Sequence, residues 1–365
     1  MNDNPLGWSR SVARCSAWIA AVLLMACSVS VDSEGETQTR ALIDRLPAGA
    51  VAIAWIDIEA LAATMPPEDW DEYEEMFQNN DNMQNLERFA EATGINLRED
   101  IRQVAVAIMP GAGEEVEALV LAVLDFDEDK LLALTADAET IAYEGETLYD
   151  AQEIFRSLEE ALGKEDAGTG EGEASGDFDV TAQPDNFLTI VGPHTLAMGT
   201  EESLKVLIDV DGGRHDSLKM DPAMNDLISD VAGQGQIWFV ATRETWDDQI
   251  GRLAQGGGMV SANAIESIEV LTLSMRLGDG MTLRLAGVAA SAQDAGLLAN
   301  TLNGWMALGK MMLQQSEPEL FNILDRGITV GRDDRTVHID ANLSAADIVA
   351  LRLMAEEMDE SVIGR

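Results

Sequence analysis

The tripeptide Gly278-Asp279-Gly280 constrains this chain more than any other stretch. It stands between two long runs rich in apolar and β-branched residues, 267–277 and 281–289. A short glycine-containing break between such runs folds the chain back on itself as a hairpin. Three weaker breaks read the same way: Glu144-Gly145-Glu146 between 141–143 and 147–149, Gly192-Pro193 between 187–191 and 195–198, and the segment joining 327–331 to 336–339. Runs at 50–58, 102–109, 117–126 and 236–241 supply further strands. Hairpins build antiparallel sheets, so the pattern points away from a doubly wound parallel fold.

Between the strands lie helical stretches with start signals. Asp127 precedes 128–136, Thr200 precedes 201–208, and Ser344 opens a last helix to about 358; all three residue types accept hydrogen bonds at a helix N-cap. Residues 68–93 read as a helix with Met76, Phe77, Leu86 and Phe89 as core candidates and Gly94 as its C-cap. Helices are also expected over 151–162, 242–254 and 291–315, and a loop over 209–215. Trp55, Trp238 and Phe239 lie in strands and are expected in the core.

The two halves echo each other. Residues 187–208 and 327–351 each read as a hairpin entering a capped helix, and EALVLAVLDFDEDKLLAL echoes TLRLAGVAASAQDAGLL. The expected fold class is therefore α+β: two similar units of mostly antiparallel sheet, helices packed on one face, on a duplicated plan. The first unit is placed at 46–232 and the second at 233–365. The acidic, glycine-rich stretch 163–185 reads as a disordered surface insertion.

Charge bounds the partners. The chain carries 66 Asp+Glu against 23 Lys+Arg, a net of −43, with 46% apolar residues. That apolar content supports a packed core, and such acidity excludes attraction to nucleic acid, which needs a basic footprint. Like charge of this size also keeps molecules apart in solution.

The N-terminus reads as an address. Arg10 and Arg14 precede an apolar run, AWIAAVLLMA, that is half as long as a bilayer span requires. A charged start and a short apolar core have the form of a signal peptide over 1–26. The run ends Leu24-Met25-Ala26-Cys27, which resembles the lipobox of bacterial lipoproteins, with Met25 in place of a smaller residue. The resemblance implies a lipid on Cys27 and cleavage before it, followed by a flexible polar tether over 27–45. Two or more acyl chains on one residue hold a protein stably at a membrane. Ser28, not Asp, follows the cysteine, and by resemblance to sorting rules this favours the periplasmic face of the outer membrane over the inner membrane. An ordinary secretory signal with a chance cysteine is the competing reading. If Cys15 leaves with the signal and Cys27 carries lipid, no thiol remains for a disulfide or a cysteine metal site.

The remaining chain resembles uncharacterised exported bacterial domain families. The shared features are Leu46-Pro47, Val51 and Asp57 around the opening strand, and the segment 93–101 beginning Thr93-Gly94-Ile95-Asn96. The resemblance brings no catalytic residues with it.

A search for chemistry finds little. No H-E-x-x-H, G-x-S-x-G or phosphate-cradling glycine loop occurs. His194 and His338 read as surface or satisfied side chains. Asp125, Asp127 and Asp129 open like a calcium loop, but Lys130 and Ala136 stand where glycine and glutamate are needed, so helix capping is the better reading. Asp209, Asp211 and Asp216 are weak candidates for a divalent cation; no cofactor is expected. Helix 291–315 is apolar around much of its girth. Trp305, Met306, Met311 and Met312 would line an apolar-ligand groove if it is not simply a core helix. The sequence thus reads as a lipid-anchored envelope protein with a non-enzymatic binding or scaffold ectodomain, partnered by the membrane and by envelope proteins. A carrier of an apolar ligand and an unrecognised envelope hydrolase are the alternatives.

Overall fold

The computed structural model describes residues 41–64, 89–90, 92–96, 98–111, 116–136, 138–161, 186–246 and 266–363. The expected signal peptide, most of the tether, most of helix 68–93, the insertion 163–185 and most of helix 242–254 lie outside them. Residues 41–45 belong to the fold rather than the tether, because Leu42 and Ile43 are buried. The architecture is α+β, and every strand pairing within each of two compact units is antiparallel. The division falls between Asp226 and Leu227, inside an unforeseen helix, Pro222–Val231.

In the first unit the strands are β1 (Ala52–Asp57), β2 (Ile101–Pro110), β3 (Val116–Leu124), β4 (Thr140–Tyr143), β5 (Glu146–Asp150), β6 (Asn186–Ile190) and β7 (Thr195–Thr200). They lie in the order β1-β2-β3-β7-β6-β5-β4. The helices are α1 (Ile58–Ala62), α2 (Glu128–Leu134), α3 (Ala151–Ala161) and α4 (Glu201–Asp211), and the helix that contains the division is α5 (Pro222–Val231). The β4–β5 turn places Glu144 at φ 52° and Gly145 at φ 96°, the paired positive values that a two-residue hairpin turn needs.

Register decides what this sheet buries. Trp55 pairs with Ala105, Ala105 with Leu121, and Leu121 with Ala197, all on one face and all buried. Helix α4 covers that face: a side chain on Gly199 would run into Ser203 of α4. The opposite face packs at one end against α2, where Leu131 joins Ile95, Leu124 and Leu196. Helices on one face alone is therefore corrected for this unit. The sequence Leu196-Ala197 is apolar at both parities, so both sides of β7 must be covered.

In the second unit the strands are β8 (Ile237–Thr242), β9 (Ile268–Leu277), β10 (Gly280–Ala289), β11 (Ile328–Asp333) and β12 (Thr336–Ser344), ordered β8-β9-β10-β12-β11. The expected hairpin around Gly278-Asp279 joins β9 to β10. A side chain on Gly280 would collide with the backbone carbonyl of Leu343, so β12 approaches β10 closely there. The helices are α6 (Ala292–Ser316), α7 (Pro318–Gly327) and α8 (Ala345–Ile363). Only a short 3-10 turn, Arg243–Thr245, is described at the start of the expected helix 242–254. Helix α7 is likewise unforeseen.

Caps fix the helix starts. Ser291 Oγ accepts from Asp294 N at 3.2 Å and starts α6. Ser344 and Asp347 cap each other reciprocally at the head of α8: Asp347 N donates to Ser344 Oγ at 3.2 Å and Ser344 N to Asp347 Oδ2 at 3.0 Å. Ala295, Leu298 and Ala299 of α6 pack on Ala289 and Val337, and Gly327 of α7 lies against Leu343 on the same face of the sheet. Among the described residues no helix is long and apolar enough to cross a membrane.

Candidate interaction surface

The lipidation residue Cys27 and the lipobox residues Leu24, Met25 and Ala26 lie outside the described residues. The other sequence candidates can be placed. Asp209 and Asp211 sit in the last turn of α4, not in a loop. Asp209 accepts from Arg214 Nε at 2.7 Å and from Tyr143 Oη at 2.9 Å. Arg214 holds the Asp209 carboxyl below the usual range, and the hydrogen bond to Asp209 raises the Tyr143 hydroxyl above its ordinary value. Asp211 is gripped by Arg45, whose Nε donates to Oδ1 at 3.0 Å. Asp216 contributes a backbone carbonyl that lies 2.9 Å from His215 Nδ1. The carboxylates of Asp209 and Asp211 thus face arginines, which compete with any cation. Among the described residues no group of three or more His, Cys, Asp or Glu is arranged to hold a metal ion.

Asp127 caps α2, accepting from Asp129 N at 3.1 Å and Lys130 N at 3.3 Å, while Asp125 turns to His194 Nδ1 at 3.0 Å. The D-x-D-x-D stretch is therefore spread over a cap and a strand end. His194 is exposed at φ 63° in the β6–β7 turn.

One face of the second unit carries a polar row beside the buried Trp238. Arg284 on β10 lies opposite Ser274 on β9 and Asp340 on β12. With Gln234, Thr282, Leu283 and Asn342 these residues border a hollow of about 110 Å³. Arg284 Nε is 3.6 Å from Asp340 Oδ1, and His338 Nε2 is 3.4 Å from Asp340 Oδ2. Ser274 Oγ donates to Gln234 Oε1 at 3.3 Å. The register sets Ser274 and His338 on strands separated by β10, about 9–10 Å apart, too far for a nucleophile and its base. The grouping can hold a small polar molecule but has no assembled acyl-transfer machinery.

Helix α6 divides lengthwise. One side of its first half is in the core, as above. In its second half Trp305 and Met306 are half-buried, whereas Met311 is 56% and Met312 71% exposed. A second hollow, of about 330 Å³, is bordered by Arg276, 278–282 and 342–344 around the β9–β10 turn. Neither hollow is lined by α6. Sequence reading misses the row Ser274-Arg284-Asp340, because only register across three strands brings those residues together.

Comparison with known proteins finds no matching family, no matching curated protein and no matching solved structure.

Proposed function

We propose that the chain is a lipid-anchored protein of the bacterial cell envelope, facing the periplasm, whose duplicated α+β ectodomain binds or scaffolds other envelope components rather than catalysing a reaction. The observation that carries this reading is Leu24-Met25-Ala26-Cys27 at the end of a short apolar run that follows Arg10 and Arg14. Duplication is supported by the strand orders: β1-β2-β3-β7-β6 and β8-β9-β10-β12-β11 pass through the same succession of hairpins. The echoing segments 187–208 and 327–351 fall on β6-β7-α4 and on β11-β12-α8. A binding role is supported by the exposed apolar side chains on α6, since soluble surfaces seldom display such a group without a partner. The carrier reading draws less support, because α6 meets the sheet directly through Ala295, Leu298 and Ala299.

The anchor is tested by Cys27→Ala. The substitution should abolish acyl labelling and partition into detergent. A variant that stays membrane-bound refutes the lipobox reading. Crosslinking in the native envelope tests the binding role: recovery of the same protein contacts from both the acylated chain and a soluble one supports it, and recovery of none refutes it.

A further inference from the structure

His338 sits in the second unit among groups that suit a charged ring better than a neutral one. It lies on β12, where side chains alternate, so it faces away from the α6 core that Val337 joins. Its side chain is 13% exposed. Across the ladder its neighbours are Ala286 on β10 and Gly331 on the edge strand β11. The ring lies over Gly331, in the space that a side chain there would take. A carboxylate stands at each nitrogen: Nε2 is 3.4 Å from Asp340 Oδ2, and Nδ1 is 3.9 Å from Asp333 Oδ2. Among the described residues Nδ1 is buried without a hydrogen-bond partner, so His338 is not the satisfied side chain that the sequence suggests. A neutral imidazole has one N–H and one lone pair. Whichever nitrogen holds the proton, the other turns a lone pair towards a carboxylate. The imidazolium has two N–H groups and meets an acceptor at each end. The remaining charges leave this balance in place. Arg284 on β10 stands beyond Asp340, 3.6 Å from Oδ1, and offsets part of that one carboxylate. Beyond β10 this face of β9 carries the uncharged Thr272 and Ser274. In the turn, Asp334 adds a further negative charge, while Arg335 is engaged by the Ala289 carbonyl and Glu269. Arg332 of β11 donates to the Ala292 carbonyl at 3.3 Å, on the α6 side.

We propose that His338, Asp333 and Asp340 form a pH-sensitive clasp, which fastens the edge strand β11 and its turn to β12 when His338 is protonated. Asp333 is the moving part. Its side chain is 84% exposed, and its carboxylate has only to close the gap to Nδ1. Histidine is the side chain whose charge ordinarily changes between pH 5 and 8. The folded arrangement accepts the charged ring, so fastening is present on the acid side of that range and is lost as pH rises. The clasp acts on the outer edge of the sheet. An edge strand carries a row of unpaired N–H and C=O groups open to pairing with another chain. How firmly β11 is held decides how readily that row is offered. The clasp does not depend on the lipid anchor.

The test is hydrogen exchange on the purified full chain at the two ends of that range, about pH 5 and about pH 8, corrected for the intrinsic pH dependence of exchange. The amides of 330–337 should be about threefold better protected at the acid end, a modest factor because one partner is open to water. The difference should vanish in His338→Gln. It should shrink in Asp333→Asn, which changes an exposed side chain and leaves the strand pairing in place. Nitrogen NMR of the ring should find a proton on both nitrogens at the acid end. Equal protection at the two ends overturns the proposal. So does a difference that His338→Gln or Asp333→Asn leaves undiminished, or a ring that keeps a single proton at the acid end.

Discussion

The two units share a succession of strands and differ in what they do with the faces. In the first, the face bearing Trp55, Ala105, Leu121 and Ala197 is apolar and closed by α4. In the second, the row at a comparable place on the third strand reads Trp238-Ser274-Arg284-Asp340, in which Trp238 and Ser274 are buried and the charged Arg284 and Asp340 are partly exposed. The connection after the third strand differs as well: α2 has 7 residues and α6 has 25. Strand order therefore comes from turns and caps, which are local, while the character of a face comes from every second residue and changes without disturbing the order.

The strongest way to break the comparison is to hollow one core and watch the other. Trp238→Ala, in a site with no exposure, should cost its own unit about 3–5 kcal/mol. Trp55→Ala should do the same to the first. Hydrogen exchange should show protection lost in the mutated unit alone, and simultaneous loss in both would mean that the two do not fold separately.

A smaller effect, peculiar to the second unit, is expected at the β10–β12 approach. Gly280→Ala forces the Leu343 carbonyl aside and should cost about 1–3 kcal/mol in a urea melt. A neutral result would show that β12 has room to shift.

The caps sharpen the contrast through pH. Ser344, with help from Arg326, holds Asp347 in the second unit at a pKa of about 2, below its ordinary 3.8. The fold favours the ionised form, so this support is complete above pH 3.8 and is lost as pH falls towards 2. In the first unit burial pushes Asp57 up, outweighing the hydrogen bond from Ala60 N. There the fold favours the protonated form, so stability is gained as pH falls and given up as it rises through the raised value. Acid titration followed by exchange should thus loosen the head of α8 and tighten the start of α1. Asp57→Asn should remove the second dependence and keep the cap. Ser344→Ala should cost about 1 kcal/mol.

Least of all should come from the exposed ion pairs. Arg102 meets Asp125 at 2.5 Å in the first unit and Arg335 meets Glu269 at 2.5 Å in the second. Either arginine changed to alanine should shift stability by less than about 1 kcal/mol, since water screens both partners.

The elements legible in the sequence are those that rest on neighbours. The Gly278-Asp279 hairpin, the Asp127, Thr200 and Ser344 caps, and the long α6 all follow from residues within a few positions of one another. Among the helices that go unread, two carry a proline signal. Pro222 stands just after Asp221, whose carboxylate accepts from Met224 N at 3.1 Å, and Pro318 opens α7. Proline at the first helical position marks a start, not an end. The pairing of β3 with β7 and of β10 with β12 is hidden for another reason: each joins strands far apart in sequence, and no local pattern encodes which distant edge a strand will meet. The polar row on the second sheet is hidden with it. Among so many carboxylates, Asp340 has no distinguishing mark until register places it opposite Arg284.

The first sheet closes when Val120 meets Met198, and the second when Val288 meets Thr336. Everything between lies in a loop whose closing entropy grows only with the logarithm of its length, so doubling it costs about 0.6 kcal/mol. The β4–β5 hairpin, α3 and the acidic stretch after them all occupy that slot in the first unit. The slot between the third strand and the final hairpin is thus where this fold accepts new chain cheaply. Its toll is kinetic, because the closing strand must wait for a longer search.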